Sequence, residues 1–323
     1  MNQIKKIKSI ILGVLLVVSI LAVINPVSAY SIQGAIDAAP VGGVVIVPAG
    51  TYHETINITK AITLQGADKA TTIIKPAASG TEWISIQASD VHIKNLTFDG
   101  TGYSITRAIT TRGSGSITNC IIKNIADPDV WEYDGKGIYI HWDTSGQNWE
   151  LSGNEFRNIK RIGIAIYAAG NKATISNNIF LGNGAGDWVE YAIQVEEGSI
   201  AYIDGNNISN YGGVVSPWDS AGILVSSYFA PKSTAYITNN TIFNNTIGIA
   251  VGYVDDVTLT DTSIVSLKCN NIFNNKYRIV DVSGTTVKEL PCSSQLPMGR
   301  ILGILRSNYS KNNGNGGNAS GTD

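Results

Sequence analysis

Soft metal ligands are scarce in this chain: three histidines, three cysteines and two methionines among 323 residues. No Cys-x-x-Cys pair or histidine cluster offers zinc its ligands, and a copper site would be poorly supplied. Charge is sparse as well, at 15% of residues with a formal net charge of −2. A nucleic-acid partner calls for a basic face, so this composition argues against one. After residue 24 no apolar run is long enough to span a bilayer. Leucine-rich and helix-pair patterns are also missing, which removes the helical repeat architectures.

What the chain does have is repetition. Segments beginning at Ile93, Ile117, Leu151, Ile175, Ile203, Ile237 and Leu267 read nearly alike, as in Ile175-Ser176-Asn177-Asn178-Ile179-Phe180. Their starts lie 24 to 34 residues apart, a solenoid period. A second echo runs through Gly137-Ile138-Tyr139-Ile140, Gly163-Ile164-Ala165-Ile166, Ala192-Ile193-Gln194-Val195, Gly222-Ile223-Leu224-Val225 and Gly248-Ile249-Ala250-Val251. β-Branched residues alternating with polar ones read as strands. Short strands, sharp corners and one circuit per repeat describe a parallel β-helix, with neighbouring coils ~4.8 Å apart. Asn154, Asn178, Asn206, Asn240 and Asn270 fall at one aligned position between two strands. The expectation is a ladder of amides along the axis, with each Asn taking up the left-handed conformation that a tight corner demands.

The ends differ from the middle. Lys5, Lys6 and Lys8 precede an uncharged run from Ser9 to Ile24 and then Ser28-Ala29, the pattern of a secretory signal cut after Ala29. The expected organisation is therefore a signal peptide over residues 1–29, a β-helix over 30–295, and a C-terminal cap and flexible Asn/Gly/Ser tail over 296–323. The mature chain would carry 20 Lys and Arg against 25 Asp and Glu, would have no membrane span, and would be secreted or held at the cell surface. Ser31 is placed to cap a short helix whose Ile32, Ala35, Ile36 and Ala39 share a face. That helix would cover the open end of the first coil. Cys269 and Cys292 stand about one circuit apart, within disulfide reach, whereas Cys120 occupies the Asn position of its own coil and reads as a buried free thiol.

Ile32-Gln33-Gly34-Ala35-Ile36-Asp37-Ala38-Ala39-Pro40, followed by Pro48-Ala49-Gly50-Thr51-Tyr52 and Ile62-Thr63-Leu64-Gln65-Gly66, resembles the opening of right-handed parallel β-helix proteins of the pectate-lyase-like superfamily. The later coils are similar to their generic parallel β-helix repeats, found also in NosD-type periplasmic proteins. The resemblance covers residues 31 to 290 and implies an all-β, right-handed parallel β-helix of about 8–10 coils. It implies no single activity, since the superfamily holds lyases, hydrolases, epimerases, esterases, tailspikes and adhesins. The paired-Asp and Gly-His-Gly series of polygalacturonases, the esterase Gly-Asp-Phe-Ile-Phe-Gly motif and the pectate-lyase Arg-Pro-x-x-Arg stretch do not occur.

Function on such a scaffold must sit on outward residues and inserted loops. Alternation sends Ile138 and Ile140 inward and Tyr139 and His141 outward. Sliding by one circuit puts Tyr167, Glu196 and Ser226 in the column of His141, and Ala165, Gln194, Leu224 and Ala250 in the column of Tyr139. Three segments ahead of this strand bring Trp with acids: Trp131 beside Asp129, Glu132 and Asp134; Trp188 beside Asp187 and Glu190; Trp218 beside Asp219. They would wall a groove floored by Tyr139, His141, Tyr167, Gln194 and Glu196, with Trp142 and the stretch to Trp149 opposite. Aromatic rings suit the apolar faces of sugars, and carboxylates accept from their hydroxyls. Asp129, Glu132 and Asp134 are also candidate Ca2+ ligands; no other cofactor is implied.

Two readings stand at this point. One is a polysaccharide-active hydrolase or lyase. A hydrolase would use Glu196 with Asp187, Glu190 or Asp219; a lyase would use His141 and Tyr167 with Lys136, Arg161 or Ca2+. The other is a non-catalytic module that binds glycans or builds the cell envelope.

Overall fold

A computed structural model describes residues 30–126, 135–185, 189–215, 218–227, 232–252 and 260–292. Among these, strands stack coil upon coil into three parallel sheets of ten, nine and nine strands, joined in strict rotation. The first sheet runs from Gly43–Val47 to Thr286–Leu290, the second from Gly50–His53 to Asn271–Phe273, and the third from Ile56–Ile58 to Tyr277–Asp281. The described residues thus form an all-β parallel β-solenoid with one short helix, Ile32–Ala38. No helix of the described residues is long and apolar enough to cross a membrane.

Stacking like on like builds the core. In the first sheet one inward column reads Val45, Leu64, Ile93, Ile117, Leu151, Ile175, Ile203, Ile237 and Leu267. Each is buried, at ~2 kcal/mol of apolar transfer apiece. In the third sheet the column from Ile84 to Ile249 is isoleucine at every step. Size varies only where neighbours compensate. Trp149 lies between Gly115 and Ala173 in register, and a Cβ at Gly115 would stand 1.9 Å from the Val91 carbonyl oxygen. Trp149 is therefore a core residue, its Nε1 donating to Gly113 O at 2.9 Å, and not part of an outer wall.

The asparagine ladder is present, with a correction to its geometry. The left-handed residue is the one before each ladder position, namely Asn95, Asn119, Gly153, Asn177, Gly205, Asn239 and Cys269, all with φ between 50° and 66°. That turn aims the following side chain into the corner. Asn178 Nδ2 donates to Leu151 O of the preceding coil at 2.8 Å, and its Oδ1 accepts from Asn154 N–H at 2.8 Å. Asn206, Asn240 and Asn270 repeat both bonds. Cys120 takes the same position as a buried free thiol, pushed up to about 12 by burial.

Both ends of the described solenoid are tied down. Ser31 Oγ accepts from Gly34 N–H, and Glu54 accepts from the N–H groups of Ile32 and Gln33 at 2.7 and 2.8 Å. At the other end Cys269 and Cys292 are disulfide-bonded, with Cα atoms 5.1 Å apart. The expected signal peptide and the tail from 296 lie outside the described residues.

Candidate functional site

The outer face of the third sheet carries the most unusual chemistry of the molecule. The registers pair Tyr139 with Ala165, Ala165 with Gln194, Gln194 with Leu224 and Leu224 with Ala250. One residue further the ladder continues, with N–H groups of His141, Tyr167, Glu196 and Ser226 bonded to the preceding coil. His141, Tyr167 and Glu196 therefore stand in line on adjacent strands, ~10 Å end to end. Beside them Glu82, Arg107 and Lys136 form another column in register.

This face is covered. Tyr139, Ala165, Val189, Tyr191, Leu224, Ile247 and Ala250 form an apolar cluster separate from the core, with half-buried Tyr167 packed against it. His141, Gln194 and Glu196 are buried within this face, Glu196 to 1% exposure. The residues expected to floor a groove thus stand on one face, and Tyr139, His141, Gln194 and Glu196 are buried there. Alternation sends these side chains outward as expected, and they are buried among the other outward residues of the same sheet, Tyr139, Tyr191 and Leu224 among them.

Burial shapes their titration. His141 is lowered from its ordinary value, first by desolvation and then by the Arg112 charge, so its imidazole is neutral at pH 7. Its Nδ1 lies 2.7 Å from Asp143 Oδ1 and 3.2 Å from Asp143 N. The carboxylate contact is the shorter and the charge-assisted one, so Nδ1 carries the proton and Nε2 keeps the lone pair. Tyr167 is raised well above 10 by burial and then by Glu196, and stays protonated. Glu196 is raised to about 7, first by desolvation, against a stabilising bond from Gln194. Among the described residues Glu196 Oε1 and Gln194 Oε1 have no hydrogen-bond partner.

Cations rim the row. Arg112 pairs with Glu82 at 2.8 Å and with Asp143 at 3.3 Å, and Arg107 lies 4.6 Å above the Tyr139 ring. Tyr139 packs edge-on to both His141 and Tyr167. Trp142 is 59% exposed and stacks on His141 at 5.6 Å.

The other expected site residues fare unevenly. Glu190 is buried and holds Asn183, accepting from its amide at 2.7 Å and its N–H at 3.1 Å, which makes it a corner tie. Asp219 is half-buried at the edge of a two-stranded ribbon. Trp131, Trp188, Asp129, Glu132, Asp134 and Asp187 lie outside the described residues, as does the side chain of Trp218. Among the described residues no three His, Cys, Asp or Glu are grouped to hold a metal ion. Sequence reading missed Arg112 and Glu82, and set Asp143 only within the wall opposite, although it follows His141 by two positions. It also missed Asp261, which accepts from Ser226 Oγ, Ser227 N–H and Ser227 Oγ at 2.9–3.1 Å and closes the far end of the row.

A family model described as a right handed beta helix region matches residues 55–192. No curated protein shows a significant match. The Dettilon tailspike protein is 17% identical with a TM-score of 0.53, over 72% of this chain and 44% of its own. The A-module of a mannuronan C-5 epimerase from Azotobacter vinelandii is 17% identical with a TM-score of 0.43, over 82% and 91%. An alginate lyase from Paenibacillus sp. str. FPU-7 is 15% identical with a TM-score of 0.46, over 81% and 96%. At these identities the likeness is one of fold.

Proposed function

We propose that this is an exported protein that takes a polysaccharide at the His141 end of the buried row, beside exposed Trp142 and Asp143, and cleaves it by proton abstraction. The observation that carries the reading is the buried line His141–Tyr167–Glu196. Drying three titratable groups on the outside of a solenoid costs stability that an apolar face would not, which supports a functional reading of the line. The protonation states suit elimination. A neutral His141, oriented by Asp143, has Nε2 free to take the proton beside a uronate carboxylate. A protonated Tyr167 one strand away supplies a proton to the departing oxygen. Arg107 and Lys136 rim the row and neutralise the carboxylate, and exposed Trp142 offers a sugar its flat face.

Hydrolysis is the second reading, because a Glu196 raised to about 7 is a ready general acid. It then needs an ionised partner, and Glu190 is already tied to Asn183. Asp219 and Asp187 are the remaining partners for it.

The test is a screen of the chain from Tyr30 onward against uronate-containing and neutral polysaccharides. Unsaturated-uronate absorbance, reducing ends and binding are read in parallel. Elimination predicts both chemical signals, each lost ~100-fold or more in His141→Ala and Tyr167→Phe. Reducing ends without unsaturation, lost in Glu196→Gln, would select hydrolysis. Binding with neither signal would leave a non-catalytic glycan module, and absence of binding to every glycan would end the reading.

A further inference from the structure

A second constellation sits on the first sheet, far round the coil from the row above. His92 and Ser116 are register partners on adjacent strands. Ser116 Oγ lies 2.8 Å from His92 Nδ1, and His92 Nε2 lies 3.1 Å from Asp90 Oδ1. Serine, imidazole and carboxylate are thus joined in series. The three line an open cleft of about 680 Å3 shared with Ser114, Asn148, Glu150 and Thr174.

The backbone sets this up. His92 and Ser116 are outward residues of strands whose Val91, Ile93 and Ile117 are locked in the core, so their Cβ atoms are fixed at coil spacing. Asp90 precedes its strand with φ of 59°, a left-handed conformation uncommon outside glycine, and its carboxylate reaches the far side of the same imidazole. The roles follow from the contacts. Nε2–H donates to Asp90, which leaves Nδ1 as the acceptor for the Ser116 hydroxyl proton. The two ring nitrogens are used in the opposite sense to the serine-protease arrangement, but the proton path is the same.

We propose that Ser116, His92 and Asp90 form an esterase site for short O-acyl esters carried on a hydroxyl-rich molecule. Ser116 Oγ attacks the ester carbonyl carbon while His92 Nδ1 takes its proton. The tetrahedral intermediate expels the carrier's alkoxide, which receives that proton as an alcohol, and an acyl-serine remains. Water, deprotonated by His92, attacks the acyl carbon and releases the carboxylic acid, restoring Ser116. The Asn148 amide is the lining group that can donate to the oxyanion. The cleft is open and its side chains (Asp90, His92, Ser114, Asn148, Glu150 and Thr174) carry hydrogen-bonding groups, so nothing encloses a long acyl chain, which selects a small acyl group and a carrier rich in hydroxyls. The activity is independent of the third-sheet reading and is tested without a glycan.

The experiment treats the whole chain with a fluorophosphonate, maps the label by peptide mass spectrometry, and measures hydrolysis of a chromogenic acetate ester. The label is expected on Ser116. Ser116→Ala and His92→Gln are expected to remove both label and turnover, by ~100-fold or more, with unchanged melting temperature. His53→Gln, which alters a different exposed imidazole, retains both and so excludes general catalysis by surface histidine. Asp90 is 76% exposed, so its orienting bond competes with water; Asp90→Asn lowers kcat by ~10-fold and leaves KM unchanged. An unlabelled Ser116, or acetate hydrolysis that survives Ser116→Ala, overturns the proposal.

Discussion

Two outward histidines, His141 on the third sheet and His92 on the first, show how one scaffold makes two environments. Each stands on a parallel strand between isoleucine-bearing coils, and each has an aspartate two residues away within hydrogen-bond reach. Around His141 the face is capped by its own apolar cluster, and burial displaces His141, Tyr167 and Glu196 from their ordinary titration. Around His92 the face lies open, and exposed Val44, Ile46, Tyr202 and Tyr236 share its sheet. The strands are equivalent, so burial and not the backbone displaces His141, Tyr167 and Glu196.

The sharpest way to break that contrast is pH. Glu196 titrates near 7 when folded and near 4.5 when unfolded, so between those values the folded state binds the extra proton. Its stabilising effect is full below about 4.5 and is lost as pH rises through about 7. The loss is on the order of 3 kcal/mol, at ~1.4 kcal/mol per unit. Denaturant melts of wild type and Glu196→Gln from pH 4 to pH 8 should therefore diverge. Parallel curves would mean that the third-sheet face is wet.

A slightly smaller effect is expected where the corner ladder keeps both faces in register. Asn206→Leu removes the bond to Ile175 O and strands the Asn178 N–H, destabilising by ~2–3 kcal/mol. A neutral melt would show that sheet hydrogen bonds alone hold the coils aligned. The smallest effect belongs to the open face. Tyr202 and Tyr236 stack at 5.1 Å with nearly parallel rings, yet both remain more than 40% exposed. Tyr202→Ala should cost under ~1 kcal/mol. A loss as large as that of Asn206→Leu would show the first-sheet face to be covered after all.

Much of this was legible in the text of the chain, for a physical reason: identical circuits must bury identical positions. The columns through Tyr139 and His141 follow from spacing alone, and so does the ladder position. Burial of the outward column does not, because alternation tells which side a residue faces and not what lies there. Trp149 looked like a loop residue until its register with Gly115 and Ala173 supplied the missing volume. The left-handed corner residue was misplaced by one because Asn and Gly both occur at the turn, and only the direction of the side-chain bond separates them. Nothing in the pattern singles out His92 with Ser116, which are 24 residues apart and join only when one coil settles on the last.

The ladder also has a direction. Every corner amide from Cys120 to Asn240 donates to the carboxamide oxygen of the coil that follows it, while each carboxamide nitrogen reaches the coil before. A chain emerging from the ribosome would therefore grow with its newest corner amide always waiting for the next circuit. Removing coils from the front would leave a side-chain carboxamide, its oxygen and its nitrogen both, at an open end where water satisfies it readily. Removing them from the back would strip the acceptor from a buried amide, so the growing end is the costly one to interrupt. The last rung, Asn270, has no described successor, and the adjacent Cys269 is where the covalent bond is made.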